Sequence, residues 1–117
     1  MPGAISQGTI VWVAVPDLQG GNAKRRPAVV VSGDGESAVD GFIRVAAITT
    51  LTGRAPFAET VVIPHAPNGH PITRLKRASE VVCSWVLKVA IEEVEDSGGR
   101  VSRDELNEIL AKVERLA

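Results

Sequence analysis

Two adjacent arginines stand directly before a proline and an apolar run in the segment Lys24-Arg25-Arg26-Pro27. Guanidinium groups offer planar, bidentate hydrogen bonds to phosphate and stay charged at any relevant pH. Pro27 fixes its own backbone angle and pushes Arg26 towards extended geometry. Because neighbouring side chains on a strand point to opposite faces, we expect only one of the two arginines, Arg26, to face an inner pocket. The segment predicts an anion-binding site, with a solvated basic loop as the alternative.

A second group of polar side chains closes a later apolar stretch. Thr49 and Thr50 end that stretch, and Thr52 and Arg54 follow them closely. Three hydroxyls and an arginine around one strand end would suit an anionic ligand. Threonine is also a good strand former, so hydroxyls at a strand end need no function.

The remaining reactive residue types give weaker signals. Histidine can serve as a general acid or base, but both His65 and His70 fall in a proline-rich loop, which favours a solvated role. Cys83 lies in an apolar run and is expected to be a buried, inert thiol. The sequence has no HExxH motif, paired cysteines or convincing carboxylate cluster, so it predicts no metal site. Gly33-Asp34-Gly35 precedes neither a helix nor a lysine, so it is not a phosphate-binding P-loop.

Five apolar stretches predict the strands that must position these groups. They are residues 9–15, 27–32, 42–50, 59–63 and 79–90. The last stretch would also tolerate a helix. Trp12 and Trp85 lie inside predicted strands, where core packing is the expected role.

A helix is predicted at the C-terminal end of the sequence. Ser97-Gly98-Gly99 predicts a flexible break, after which the apolar spacing becomes helical over residues 103–116. Ser102 and Glu105 form a capping box. The helix has one apolar face, made of Leu106, Ile109, Leu110, Val113 and Leu116. The predicted fold is mainly β: a small antiparallel barrel or strongly curled sheet with this helix packed on it.

Length and charge limit the classes of protein. With 117 residues and 44% hydrophobic content, we expect one domain spanning residues 1–117. Thirteen basic and fourteen acidic residues give a net charge of −1, which does not by itself indicate a nucleic-acid binder. A basic face is nevertheless possible, because the acids crowd the C-terminal third and many cations precede them. These cations are Lys24, Arg25, Arg26, Arg44, Arg54, Arg74, Lys76 and Arg77. No apolar run is long enough to span a bilayer and no signal peptide is evident, so we expect a cytoplasmic protein without a membrane partner.

The order of these features resembles the MazF/PemK family of toxin-antitoxin ribonucleases. The resemblance rests on the segments GTIVWVAVPD, RRPAVVVS and VAAITT, followed by a late apolar strand and a C-terminal helix. It implies a small SH3-like, plug-type antiparallel barrel that forms a homodimer and is neutralised by a cognate antitoxin. It further implies cleavage of single-stranded messenger RNA at short sequences, with no metal or other cofactor. The ribose 2′-hydroxyl is the nucleophile, and the products are a 2′,3′-cyclic phosphate and a 5′-hydroxyl.

The resemblance also assigns residues. The family's essential arginine precedes the proline and matches Arg26, and its essential threonine closes the third strand and matches Thr49. A guanidinium hardly deprotonates in a protein, so electrostatic stabilisation is the first role of Arg26 and proton transfer the second. Further residues are candidates for contact with RNA, namely Asn22, Lys24, Arg25, Thr50, Thr52 and Arg54.

Two departures from the family pattern leave other functions open. Family loops often have an acidic residue five positions before the arginine, where this chain has Gly21, and many have Asp-Gln where it has Ser84-Trp85. One alternative is a non-catalytic toxin of the same fold, similar to the related gyrase poisons. Another is a plain barrel that serves as an interaction module.

Overall fold

The computed structural model describes residues 5–16, 21, 23–33, 41–50 and 59–116. Within these residues, strands and a helix follow in the order β1 (Thr9–Val15), β2 (Lys24–Val30), β3 (Phe42–Thr50), β4 (Thr60–Ile63), β5 (Ser79–Ala90), β6 (Asp96–Arg100) and α1 (Arg103–Leu116). A 3₁₀ turn, Ile91–Glu93, separates β5 from β6. The strands form one sheet in the spatial order β4-β5-β3-β2-β1-β6, in which every neighbouring pair is antiparallel.

The mainly β class with a C-terminal helix is confirmed, and the sheet curls into a half-barrel. Each of the five predicted strands is present, and the stretch that would also tolerate a helix is a strand throughout, Ser79–Ala90. One boundary differs in a way that matters for the site. The second strand begins at Lys24 rather than at Pro27, so the basic cluster is part of the sheet and not of a loop before it.

The flexible break predicted at residues 97–99 was wrong. These residues belong to β6, which pairs with β1 through Thr9 opposite Arg100 and Ile10 opposite Gly99. A β-carbon at Gly99 would lie 2.0 Å from the Thr73 carbonyl oxygen. The glycine therefore permits close packing of two backbones, a role that composition alone does not distinguish from flexibility.

Two apolar clusters lie on opposite faces of the sheet, because successive side chains on each strand alternate between them. The first includes Ile10, Ile48 and Val81 and is covered by α1 through the fully buried Ile109. The second includes Val13 and Val45, and also the buried Trp85, as expected for that tryptophan.

Cys83 belongs to the first cluster and is buried, as the sequence predicted. Burial raises the pKa of the Cys83 thiol to about 11. The neutral thiol is therefore the favoured form near pH 7, and it is a poor nucleophile.

Helix α1 begins at the predicted capping box. The Ser102 backbone N–H donates to the Glu105 carboxylate at 2.9 Å, and the Glu105 N–H donates to the Ser102 hydroxyl at 3.1 Å. Leu116 is exposed, unlike the other members of the predicted apolar face. The Lys112 ammonium donates to the Thr60 carbonyl at 3.0 Å, which ties the helix to β4. In the described part of the chain, no helix is long and apolar enough to cross a membrane.

Candidate functional site

A groove opens at the end of the sheet where β2 and β3 separate. Among the described residues, the paired positions of these strands end with Ala28 opposite Ala47. Arg26 and Thr49 each lie two residues beyond that last pair, and the alternation of side chains sets both on the same face of the sheet as Ala28 and Ala47. Both side chains line the groove. The fold therefore brings together the two residues that the sequence singled out separately.

The groove has a volume of about 570 Å³, which is within the roughly 300–1,000 Å³ typical of ligand sites. The start of β2, the end of β3 and the segment leading into β5 form its walls. Its lining is strongly basic, with Lys24, Arg25, Arg26, Arg74, Lys76 and Arg77. No aspartate or glutamate is among the described residues that line it. Such a surface favours an anionic ligand.

Arg26 is half-buried, and its guanidinium carbon lies 5.8 Å from the centroid of the Trp85 ring. Its Nε atom is buried and has no hydrogen-bond partner among the described residues. A buried donor without a partner costs about 1–3 kcal/mol. Because Arg26 lines the groove, its positive charge still acts on an anion bound there.

Arg25 is held differently. Its guanidinium carbon lies 4.6 Å from the Trp12 ring centroid, and its Nε lies 3.2 Å from a carboxylate oxygen of Glu95. Asp96 adds a second carboxylate at 4.0 Å. Nearby acids therefore balance much of the charge of Arg25, whereas no carboxylate of the described residues lies within 4.0 Å of Arg26.

The expectation that only one of the two arginines could face a pocket was wrong. Side chains do alternate along β2, since Arg25 lies over Trp12 and Arg26 over Trp85. The groove crosses the end of the sheet, however, and so receives a side chain from each face. Trp12 likewise does more than pack in the core, because it is half-buried and lines the groove beneath Arg25.

The other predicted contact residues divide into two groups. Lys24 and Thr50 line the groove together with Arg26 and Thr49. The rest of the predicted set, Asn22, Thr52 and Arg54, lies outside the described residues.

Sequence reasoning missed part of the groove. Arg74, Lys76 and Arg77 were members of a general basic group without an assigned place, and the fold brings them into the groove lining. Glu80 was also missed. It is buried, and the β3–β5 ladder places it directly opposite Thr49. The only sequence signal for Glu80 was a single acid at the second position of a predicted strand. Periodicity alone does not distinguish such a buried acid from an exposed one.

The two histidines do not line the main groove. His65 is exposed, as predicted. His70 is not a free surface group, because its Nδ1 accepts the backbone N–H groups of Ile72 at 3.1 Å and Thr73 at 3.2 Å. His70 thus holds a turn in the loop between β4 and β5. Within the described residues, no three His, Cys, Asp or Glu side chains are grouped to hold a metal ion.

Comparison with known proteins identifies the family of this chain and solved structures of similar fold. The sequence matches the family model described as PemK-like, MazF-like toxin of type II toxin-antitoxin system over residues 6–117. No curated protein matched the sequence.

Several solved structures have a similar fold. MazF from Deinococcus radiodurans superposes with a TM-score of 0.72 at 22% identity, with 98% of this chain and 97% of that one covered. A MazE–MazF complex from the same organism superposes with a TM-score of 0.69 at 21% identity, with 98% of this chain and 96% of that one covered. An endoribonuclease from a mycobacterial species superposes with a TM-score of 0.67 at 18% identity, with 97% of this chain and 91% of that one covered. Another similar structure is that of an endoribonuclease in complex with its cognate antitoxin.

Proposed function

The chain belongs to the PemK-like, MazF-like toxins of type II toxin-antitoxin systems, and on that premise we propose that it is an endoribonuclease that cleaves single-stranded RNA. The observation that supports this most directly is the presence of both Arg26 and Thr49 in the lining of one cationic groove. A polyanion fits the charge of such a groove. The resemblance noted in the sequence assigns the same two residues to catalysis.

The proposed reaction needs no nucleophile from the protein. The ribose 2′-oxygen attacks the adjacent phosphorus, the bond to the 5′-oxygen breaks, and the products are a 2′,3′-cyclic phosphate and a 5′-hydroxyl. The 2′-hydroxyl proton leaves to solvent, and the departing 5′-oxygen gains a proton from solvent. The protein has to orient the RNA and stabilise the charge that builds on the pentacoordinate phosphate.

Arg26 and Thr49 suit these two tasks. The guanidinium of Arg26, which lines the groove, can donate to a non-bridging phosphate oxygen, and its fixed charge stabilises the dianionic transition state. Packing against Trp85 limits the positions that the guanidinium can take. The Thr49 hydroxyl on the neighbouring strand can donate a second hydrogen bond to the same phosphate.

The family also indicates partners. Similar structures include a MazE–MazF complex and an endoribonuclease bound to its cognate antitoxin. By analogy, we propose that this toxin forms a homodimer, is bound by a cognate antitoxin and acts on messenger RNA in the cytoplasm. Binding of an antitoxin would protect the host cell from cleavage of its RNA in the groove described above.

The test is cleavage of a long RNA by the purified protein in the presence of EDTA, followed by primer extension across the transcript. We expect discrete cuts at a short recurring sequence and products that end in a 2′,3′-cyclic phosphate. Arg26→Ala should abolish the cuts. The matched control is Arg103→Ala, which removes an exposed arginine at the start of α1, away from the groove. Equal cleavage by the Arg26 variant and the wild type would reject the assignment.

A second candidate is a toxin that binds its target without cutting RNA. It is favoured by the absence of a carboxylate or an imidazole, the usual proton acceptors, among the described residues that line the groove. Expression of the toxin in bacteria distinguishes the two functions. Growth arrest with intact transcripts would support the second candidate, and growth arrest with the cuts described above would support the first.

A further inference from the structure

Part of the groove lining is a short basic segment, residues 74–77, in the loop between β4 and β5. Its cations are Arg74, Lys76 and Arg77, and all three line the groove. We propose that this basic segment binds backbone phosphates of single-stranded RNA next to the phosphate that is cleaved. The proposal rests on the proposed function, because it concerns the same groove and substrate.

The charge of the basic segment is not balanced by neighbours. Among the described residues, no carboxylate lies within 4.0 Å of the side chains of Arg74, Lys76 or Arg77. Arg25, which also lines the groove, is paired with Glu95 and stacked on Trp12. The basic segment therefore contributes more net positive charge to the groove than Arg25 does.

The backbone of the basic segment is fixed, although it belongs to a loop. Leu75 is buried in the first apolar cluster, and its carbonyl accepts the N–H groups of Ala66 at 3.0 Å and His70 at 3.1 Å. Arg74 has a positive φ of 63°, and its N–H donates to the His70 carbonyl at 2.8 Å. A non-glycine residue adopts this conformation only where the surroundings hold it there.

The turn just before the basic segment is anchored as well. The Thr73 hydroxyl donates to the Pro64 carbonyl at 2.8 Å and accepts the Leu75 N–H at 3.2 Å. On its other side, the Thr73 backbone packs against Gly99 of β6. Because the segment is ordered by these contacts, binding a phosphate there requires ordering of the side chains only, which lowers the entropy cost of binding.

The charge of the groove favours RNA over a compact anion. Arg26 and Thr49 come from β2 and β3, and the basic segment comes from the loop that precedes β5. Six cations line the groove, which is more positive charge than one bound phosphate balances. A nucleic-acid strand has one phosphate per nucleotide, so the phosphates that flank the cleaved one can reach them.

The test measures binding without cleavage. The probe is a short fluorescent oligonucleotide of mixed sequence in which every ribose is 2′-O-methylated, so the nucleophile is blocked. Its dissociation constant is measured by anisotropy over a series of salt concentrations. The variant changes Arg74, Lys76 and Arg77 to glutamine, and the control makes the same change at three exposed cations outside the groove, Arg44, Lys88 and Arg103.

Each neutralised phosphate contact adds about 0.7 to the slope of log K against log salt for a single strand. We therefore expect the slope of the groove variant to fall by about 2, with affinity reduced about 100-fold at 0.1 M salt. The control should keep the wild-type slope. Circular dichroism verifies that both variants are folded.

The outcomes separate this proposal from the proposed function. An unchanged slope in the groove variant, or an equal fall in the control, would overturn the role of the basic segment even if the wild type cleaves RNA. A loss of slope confined to the groove variant supports that role even if the wild type cuts no RNA. A variant that binds the oligonucleotide normally but no longer binds an acidic peptide such as polyglutamate would show that the segment recognises protein instead, and so would also overturn the proposal.

Discussion

The guanidinium of Arg26 lies over the face of Trp85, with 5.8 Å between the guanidinium carbon and the ring centroid. Many members of the family have Asp-Gln where this chain has Ser84-Trp85. In this chain the tryptophan ring holds the Arg26 guanidinium by packing and by the negative potential of its π face. Because no carboxylate of the described residues lies within 4.0 Å of Arg26, its positive charge is not offset by an ion pair in this arrangement.

Replacing Trp85 should therefore affect the rate of cleavage through the position of Arg26. We expect Trp85→Phe to retain most of the activity, because a smaller π face remains, and Trp85→Leu to lower kcat roughly ten-fold, equivalent to about 1.4 kcal/mol of cation–π interaction. Steady-state cleavage of a fluorogenic RNA, measured well below the unfolding temperature of each variant, verifies this. Equal kcat values for the two variants would show that the Trp85 ring only packs in the apolar core and does not position Arg26.

Thr49 and Thr50 differ in their relation to Arg26, because side chains alternate along β3 and set only Thr49 on the face of the sheet that carries Arg26. Thr49→Val keeps the shape and the strand propensity but removes the hydroxyl. If this hydroxyl stabilises the transition state, kcat should fall about 100-fold with little change in KM. Thr50→Val is the matched comparison: because Thr50 also lines the groove, loss of a contact with RNA there should raise KM while kcat stays within a few-fold of wild type. The hypothesis fails if both variants lose the same activity.

Gly99 and Gly98 are neighbours in β6 but meet different surroundings. A β-carbon at Gly99 would lie 2.0 Å from the Thr73 carbonyl oxygen, whereas one at Gly98 would meet only the end of the Arg74 side chain at 3.6 Å. Gly99→Ala should lower the free energy of unfolding by about 1–3 kcal/mol or more, as overpacking does, and Gly98→Ala should change it little. Urea unfolding measures both values, and similar stability of the two variants would contradict the packing role.

Local sequence signals were sufficient for most elements and failed where two distant segments meet. Residues 9–15, 42–50 and 79–90 are rich in apolar and β-branched types, and the structure has strands at those bounds. The strand β6 was not predicted because its Ser-Gly-Gly sequence is typical of a flexible loop. Glycine is needed at position 99 because the Thr73 backbone packs against it, and Thr73 lies more than twenty positions away in the sequence.

The same limit applies to the site. Arg26 and Thr49 were identified from local context and resemblance, and the structure places both in one groove. The contribution of residues 74–77 depends on how the loop after β4 folds back on the sheet, and no local pattern encodes that approach. The alternation rule was correct for Arg25 and Arg26 as strand residues. It gave the wrong conclusion about the pocket because the groove lies at the end of the sheet and not on one of its faces.

Cys83 makes the stability of the fold sensitive to alkaline pH. Burial raises the pKa of its thiol from the ordinary value of 9.0 to about 11, so the folded state keeps the proton over a range in which the unfolded state loses it. The stabilisation is complete below about pH 9 and is lost as pH rises towards 11, because the free energy of unfolding decreases wherever the native state binds more protons. Lysines also titrate in this range, so the comparison needs Cys83→Ala, which removes only the thiol. Denaturant unfolding at a series of pH values should give a steeper decline for the wild type than for the variant, and parallel curves would show that the thiol does not contribute to the decline.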